Sequence, residues 1–596
     1  MIVTDSVLEA TRLLERQGMA DFISQEWDML KGQRSEREAQ WKEVRDYVFA
    51  LDTSTTTNSA LPWKNSTTIP KLCQIRDNLH ANYMAAAFPN DEFFKWEAYT
   101  QASDEIKKKE SIQAYMSNKV RESDFRSTTS DLLYDYIDYG MAIADVAWVN
   151  ETKTDATTGE VISGYVGPKA VRVSPLDIVF DATSTEFRKS FKITRSIKRF
   201  GEFELEAKTN PNQWILDSIK QAKENRTSLS GVTVDDFHKA SSYAIDGFGS
   251  LFEYYGSGFV ELLEFEGTIH DPLTDELLDD YIVTIIDRKY VVRKEPIPAW
   301  KRGGFKVMGG WRHRPDNLYA MGPLDNLIGM QYRLDHLQNL AADIKDLTTA
   351  PPLVFKGELQ EAVEWGPFAE FHMEPDGDVR ALFTGASTNP AEVEIHFIIN
   401  LMEEMVGAPK QAAGIRTPGE KTAFEVKTLD NASGRIFQEK VSQFEIQIIE
   451  PLLNNMLEVA VRNMNGNDII RVMDDDLGVA DFLTITKEDI TAKGKVRPIG
   501  ARHFSAQAQL VQNLTGLSNT PIWAKIQNHV SDKKLAKLFE EVLQLDRFSL
   551  VSDNAGIMDQ IDSQRLVNQG KEDLATEQAT PIDQGVPSDQ ANIPQG

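Results

Sequence analysis

Apolar positions along the start of the chain recur at helical spacing. From Ala20 to Leu51 the residues Phe22, Trp27, Leu30, Trp41, Val44 and Val48 stand at mixed three-, four- and seven-residue intervals among many charges, which predicts helix. After a polar loop over 52–59, a second helical block runs from Pro70 to Phe88 and ends at Pro89-Asn90-Asp91. A third runs from about Ser103 through Tyr139 to Gly140. The period then shortens. Ala144-Asp145-Val146-Ala147-Trp148-Val149, Lys169 to Asp181, Lys192 to Lys198, Phe259 to Phe265 and Tyr281 to Arg293 are β-like runs separated by Gly, Pro and Asp, with a turn at Asp271-Pro272. The first 320 residues therefore read as one α+β body.

Beyond that body Pro323 opens a predicted helix carrying Leu324, Leu327, Leu334, Leu337, Ala341, Ile344 and Leu347, and Pro351-Pro352 stops it. A second helix is punctuated at both ends: Asn389 is its N-cap, Pro390 lies in the first turn, Glu392 is at the third helical position, and Gly407 sits where a C-terminal cap belongs. Between the two lie strand-like pieces at Leu353 to Phe355, Phe368 to Met373 and Val379 to Phe383, and a turn at Glu374-Pro375-Asp376-Gly377. The stretch 408–420, with two Pro and two Gly, reads as a loop. A long helix follows with Val426, Leu429, Ile436, Val441, Phe444 and Ile448 on one side and a bend expected at Pro451. Short β-like pieces return over 468–498, helices over 501–545, and a Gln-, Asp-, Gly- and Pro-rich end from Gln564 reads as a disordered tail. There is no internal repeat.

Charge changes this picture more than composition does. The 596 residues carry 64 Lys and Arg against 91 Asp and Glu, a net charge of -27, while 41% hydrophobic and 9% aromatic residues keep the chain in the globular class. Binding nucleic acid through a generally basic surface is excluded, because that affinity comes from Lys and Arg neutralising phosphates. Against the overall sign, Lys410, Arg416 and Lys421 make the 408–421 loop locally basic, with Glu420 its single acid. The one cysteine, Cys73, forms neither an internal disulfide nor a multi-cysteine zinc site, so a reducing cytoplasm is expected. The start Met1-Ile2-Val3-Thr4-Asp5 lacks signal-peptide features, and the best apolar run, Met141 to Val149, is short and broken by Asp145.

Catalytic motifs are scarce. Gly414 to Thr422 resembles a phosphate-binding loop with Glu420 inserted before Lys421, which shifts the register and puts an acid where backbone amides would cradle phosphate. The nine histidines are scattered without metal-binding spacing, and Asp474-Asp475-Asp476 reads as a solvated loop. No nucleophile elbow or dinucleotide fingerprint is present, and Cys73 has no neighbouring His. An enzyme is not expected, and neither is a cofactor or a bound metal.

The order of parts resembles the portal proteins of tailed double-stranded DNA bacteriophages, especially those of short-tailed phages. The resemblance rests on Trp41-Lys42-Glu43-Val44-Arg45-Asp46-Tyr47, on Pro62-Trp63-Lys64-Asn65-Ser66-Thr67-Thr68-Ile69-Pro70, and on Val173-Ser174-Pro175-Leu176-Asp177-Ile178-Val179-Phe180-Asp181. It rests further on Tyr319-Ala320-Met321-Gly322-Pro323-Leu324-Asp325-Asn326-Leu327 leading into a helix that ends at Ala350-Pro351-Pro352, and on Thr422-Ala423-Phe424-Glu425-Val426 opening the long helix. Ala320-Met321 departs from the family, where a second small or Gly residue is frequent.

The resemblance implies a portal-like α+β subunit with a wing over 1–321, a first stem helix over 322–350, a clip over 351–389 and a second stem helix over 390–407. A tunnel loop over 408–421, a long wing helix over 422–464, a wing β segment over 465–499, a helical crown over 500–563 and the tail over 564–596 complete it. It implies a ring of about twelve copies, closed by heterologous contacts, around a channel for double-stranded DNA. Its partners would be the terminase large subunit, major capsid and scaffolding proteins, and head-tail adaptor or tail proteins, with no membrane. The site would be a capsid vertex of the virion, after assembly in the host cytoplasm. Lys410, Arg416 and Lys421 become tunnel-loop candidates, and Glu358, Glu361, Glu364, Trp365, Glu374 and Asp376 become candidates for docking the motor or adaptor at the clip. An acidic wall with few basic points would leave the duplex mobile. The competing classes are an ATP-driven DNA-processing enzyme, disfavoured by the faulty phosphate loop, and a monomeric cytoplasmic scaffold.

Overall fold

In a computed structural model the described residues are a mixture of helix, 53%, and strand, 29%. The structure describes residues 18–49, 65, 67–89, 93–99, 103–151, 153–154, 161–162, 164–209, 211, 213–228, 258–271, 276–301, 304–349, 353–356, 376–381, 389–406, 436–464, 468–474 and 479–499. The chain forms two compact units. The first comprises 1–471 and 482–502. The second comprises 472–481 and 503–596, of which 472–474 and 479–481 are described.

The described residues begin with α1 (Met19–Gln33) and α2 (Ser35–Phe49), where the apolar period alone predicted one helix. The break is Arg34, and it has a use. Its guanidinium donates to the carbonyls of Pro175, Leu176 and Ile178 and pairs with Glu38 at 2.7 Å, all while 4% exposed. Those carbonyls belong to the segment Val173 to Asp181. There the Ser174 hydroxyl accepts from the Leu176 amide, Pro175–Asp177 makes a 3-10 turn, and Ile178–Phe180 returns as a strand. Arg34→Ala should therefore lower stability by about 3 kcal/mol, the scale for losing charge-assisted bonds to buried carbonyls. Arg34→Lys should recover only part, because an ammonium does not present the same fork. Urea denaturation measures both; an unshifted midpoint in the Ala variant would mean that water replaces the guanidinium.

Next come α3 (Lys71–Ala87), β1 (Phe94–Ala98), α4 (Ser103–Glu122) and α5 (Phe125–Asp138). The third predicted helical block is broken at Asp124, which lies in the left-handed region at φ 54°. Strands β2 (Met141–Asn150), β3 (Val166–Val173), β4 (Ile178–Phe180) and β5 (Lys192–Arg199) lead to helices α6 (Phe200–Thr209) and α7 (Leu216–Ser228). The long strands β6 (Phe259–Asp271) and β7 (Glu276–Ile286) follow, then β8 (Tyr290–Pro296), β9 (Val307–Gly310), β10 (Arg312–Arg314) and β11 (Asn317–Met321).

The main sheet is antiparallel in the order β8-β7-β6-β5-β4. Helices cover both of its faces. Ile23, Trp27 and Leu30 of α1 pack on Val179, Ile193, Leu263, Phe265, Val283 and Ile285. On the opposite face Phe203 and Ala207 of α6 and Ile219 and Ala222 of α7 pack on Val260, Leu262, Ile286 and Val292. Strand β6 is thus enclosed on both sides, which is why Val260 to Leu263 shows no polar-apolar alternation of burial. A second sheet, β9-β2-β3, carries the Trp41 cluster with Met141, Ile143, Val173, Ile178 and Phe180. Gly140, at φ 75°, leaves room for the chain after β11, because a Cβ there would lie 2.3 Å from the Gly322 nitrogen.

Helix α8 (Ile328–Thr349) starts five residues later than Pro323 suggested. The intervening residues form a turn in which the Asp325 carboxylate accepts the Gly322 amide and Leu324 and Leu327 are fully buried. Strands β12 (Leu353–Lys356) and β13 (Asp378–Ala381) and helix α9 (Asn389–Val406) follow in the expected order. Helix α10 is described over 436–463, with a π-helical turn, Glu445–Ile449, before its last segment, Glu450–Asn463. The expected bend at Pro451 is resolved this way: a proline has no N–H for the carbonyl one turn back, and the wider turn lies just ahead of it. That turn presses on β9, where a Cβ on Gly309 would lie 2.5 Å from Ile448, and Gln447 accepts the Gly310 amide at 3.0 Å. Strands β14 (Asp468–Asp474) and β15 (Val479–Ile485), the short α11 (Lys487–Ile490) and β16 (Gly494–Pro498) end the described chain, and β16 pairs antiparallel with β1. The crown and tail expected after 500 lie outside the described residues.

Candidate interaction surface

Helix α8 leaves the body as it proceeds. Leu334, Leu337 and Ala341 are buried, whereas every residue from Lys345 to Thr349 is exposed. At its end β12 and β13 pair antiparallel, Leu353 with Ala381 and Lys356 with Asp378, and none of their eight residues is buried. A two-stranded ribbon with no core of its own is at best marginal in water.

Helix α9 returns from this ribbon with two apolar faces. Ile395, Ile398, Met402 and Val406 are buried, while Val393, Phe397 and Met405 remain 63%, 64% and 42% exposed. Tyr332, Leu347 and Val354 are exposed on the neighbouring elements. A surface helix normally has one apolar stripe, and here a second is exposed among the described residues. Ion pairs hold the frame: Arg333 to Glu394 at 2.9 Å and Lys345 to Glu392 at 3.0 Å are half-exposed and contribute little, while Lys71 to Glu403 at 2.6 Å is mostly buried and ties α3 to α9.

Along α8 runs a polar ladder that the apolar spacing hid. The amides of Asn65, Thr67 and Ile69 donate to Asp343 at 3.1 Å, Asn339 at 2.8 Å and Asp335 at 2.9 Å. The Asn65 side chain reaches Asp343 and Asp346, and Gln331 Nε2 donates to the Ile69 carbonyl at 2.6 Å. The donors stand two residues apart and their acceptors four apart on the helix, a rise of about 6.0 Å that two residues of chain can span. Polar residues recurring every fourth position, at 331, 335, 339 and 343, were the available signal.

Elsewhere α2, α3, α5 and β3 enclose an open cleft of about 340 Å³. Arg76 grips Asp138 through two bonds of 2.7 Å, and Arg172 grips Asp135 through two of 2.6 Å. Burial outweighs the guanidinium at Asp135, which is pushed up to about 6. With Arg45 and Asp131 also on the wall, the cleft's three arginines face three aspartates and offer phosphate no net attraction. Nearby, His80 Nε2 lies 2.9 Å from Ser130 Oγ, with its ring stacked on Tyr134. Ser130 sits inside α5, where backbone amides are spent on the helix, so this pair lacks the N–H donors that acyl transfer requires.

Of the residues singled out by sequence, Asp376 lies in an exposed turn two residues before β13. Lys410, Arg416 and Lys421, and Glu358, Glu361, Glu364, Trp365 and Glu374, lie outside the described residues. Among the described residues no cluster of His, Cys, Asp or Glu is placed to hold a metal ion, and no helix is long and apolar enough to cross a membrane. No protein-family model matches this chain, and no curated protein matches it.

Proposed function

We propose that this chain is the subunit of a portal-type ring, a conduit for double-stranded DNA at a capsid vertex. The observation that carries the reading is α9, a helix apolar on two faces and attached to a ribbon with nothing buried. A second copy of the chain would complete such a module. A neighbouring copy supplied by rotation gives a heterologous contact that closes into a ring.

On this reading α8 and α9 are the stem and β12–β13 belongs to the clip that docks the terminase large subunit and later the adaptor or tail. ATP hydrolysis then belongs to the separate motor. The acidic chain keeps DNA from adhering, and Lys410, Arg416 and Lys421 are the few basic points of the tunnel loop. Capsid and scaffolding proteins surround the wing.

Light scattering with negative-stain imaging of the full chain tests this. Rings of about twelve subunits with an axial hole are expected. A monomer that persists with a capsid or scaffolding partner present would overturn the conduit in favour of a monomeric scaffold.

A further inference from the structure

We propose that Gln331 and Asp335 form a proton-bound clasp that ties the strap at residues 67–69 to helix α8 and tightens on acidification. Asp335 is 5% exposed, and both of its donors, the Ile69 amide and Gln331 Nε2, each at 2.9 Å, reach the same oxygen, Oδ1. Among the described residues no Lys, Arg or His is paired with it. Tyr47 of α2 senses the charge of Asp335 and is itself flanked by Glu43 and Tyr332, none of them cationic. Lys71, two residues past the strap, commits its ammonium to Glu403 at 2.6 Å and Gln74 at 2.9 Å. His336 leaves the helix about 100° away round the axis.

One turn earlier, Gln331 is 1% exposed, and its Oε1 is a buried acceptor with no hydrogen-bond partner. Its amide cannot turn over, because Nε2 also serves the Ile69 carbonyl. The two deficits are complementary. An ionised carboxylate lacks a cation, and an amide oxygen beside it lacks a donor; a neutral carboxyl removes the charge and supplies an O–H. Burial accordingly pushes Asp335 up to about 6, with its two N–H donors acting in the opposite direction.

The sign follows by linkage. The closed clasp holds the proton more tightly than an open one, whose carboxyl returns to the ordinary value of 3.8. The closed-to-open ratio therefore rises as pH falls through 6 and levels off below 4, by at most on the order of 100-fold. Above pH 6 this contribution is absent.

Hydrogen exchange of the full chain, read on the peptide covering 65–70 and corrected for the intrinsic rate, tests the clasp between about pH 7.5 and about pH 4.5. Strap protection should climb tens-fold in the wild type. In Asp335→Asn it should be high and flat, because Asn offers both an acceptor and a donor without titrating. A flat wild-type profile, or the same climb in Asp335→Asn, would overturn the proposal. Difference infrared spectroscopy near pH ~5 gives an independent reading. A neutral-carboxyl band lost in Asp335→Asn supports the clasp, and its absence from the wild type refutes it.

Discussion

Phe397→Asp is expected to yield a folded protein that no longer assembles. Phe397 is 64% exposed in the subunit, with Val393 one turn before it and Met405 two turns after, so the change touches no core. Stability of the isolated chain should move by no more than about 0.5 kcal/mol. The contact between copies is another matter. Burying a Phe side chain is worth roughly 1.5–3 kcal/mol, and an Asp in its place adds the cost of stripping water from a charge. A loss of about 3 kcal/mol weakens each contact roughly a hundredfold. Every member of a closed ring has two neighbours and meets the loss at both. On the proposed ring, light scattering should therefore show monomers for this variant where rings are expected of the wild type, with an unchanged melting profile, and Phe397→Leu should still assemble. Rings from the Asp variant would remove this face of α9 from the interface.

The elements that were legible in advance share one property: their pattern is set by burial within the chain. The strands between Met141 and Arg199 and between Phe259 and Pro296 fall in the runs set off by Gly, Pro and Asp, and α9 begins at its Asn-Pro start. Periodicity failed where backbone and side-chain chemistry intervened. It could not show that Arg34 breaks one helix into two by reaching for three carbonyls, or that Asp124 adopts a left-handed conformation between α4 and α5. The polar ladder on α8 escaped for a related reason. Its four positions pair with a strap more than 260 residues earlier in the chain, and nothing local signals that partner. The second apolar stripe of α9 was present in the sequence as Val393, Phe397 and Met405, yet exposure is a property of the fold. The residues chosen for their charge, Lys410, Arg416 and Lys421, were read from composition and lie outside the described residues.

Arg288→Met is expected to be strongly destabilising to the five-stranded sheet and its covering helix. Arg288 and Asp287 form the β7–β8 turn with φ of 55° and 52°, the left-handed pair that a tight hairpin requires. The Arg288 side chain is wholly buried, grips the equally buried Glu261 of β6 through bonds of 2.7 and 2.8 Å, and reaches Asp28 of α1 at 3.1 Å. It thereby joins the hairpin, the central strand and the covering helix. Removing the guanidinium leaves the Glu261 carboxylate enclosed without its bidentate partner, at a cost of about 3–5 kcal/mol. The cost arises from the stranded charge more than from the lost attraction. The double variant Glu261→Leu with Arg288→Met should therefore recover most of the loss, because two apolar side chains of similar size need no solvation. Equilibrium denaturation of the two single variants and the double variant completes the cycle. If the double variant is as unstable as the sum of the singles, the pair acts through its fit to the hairpin and not through its charge.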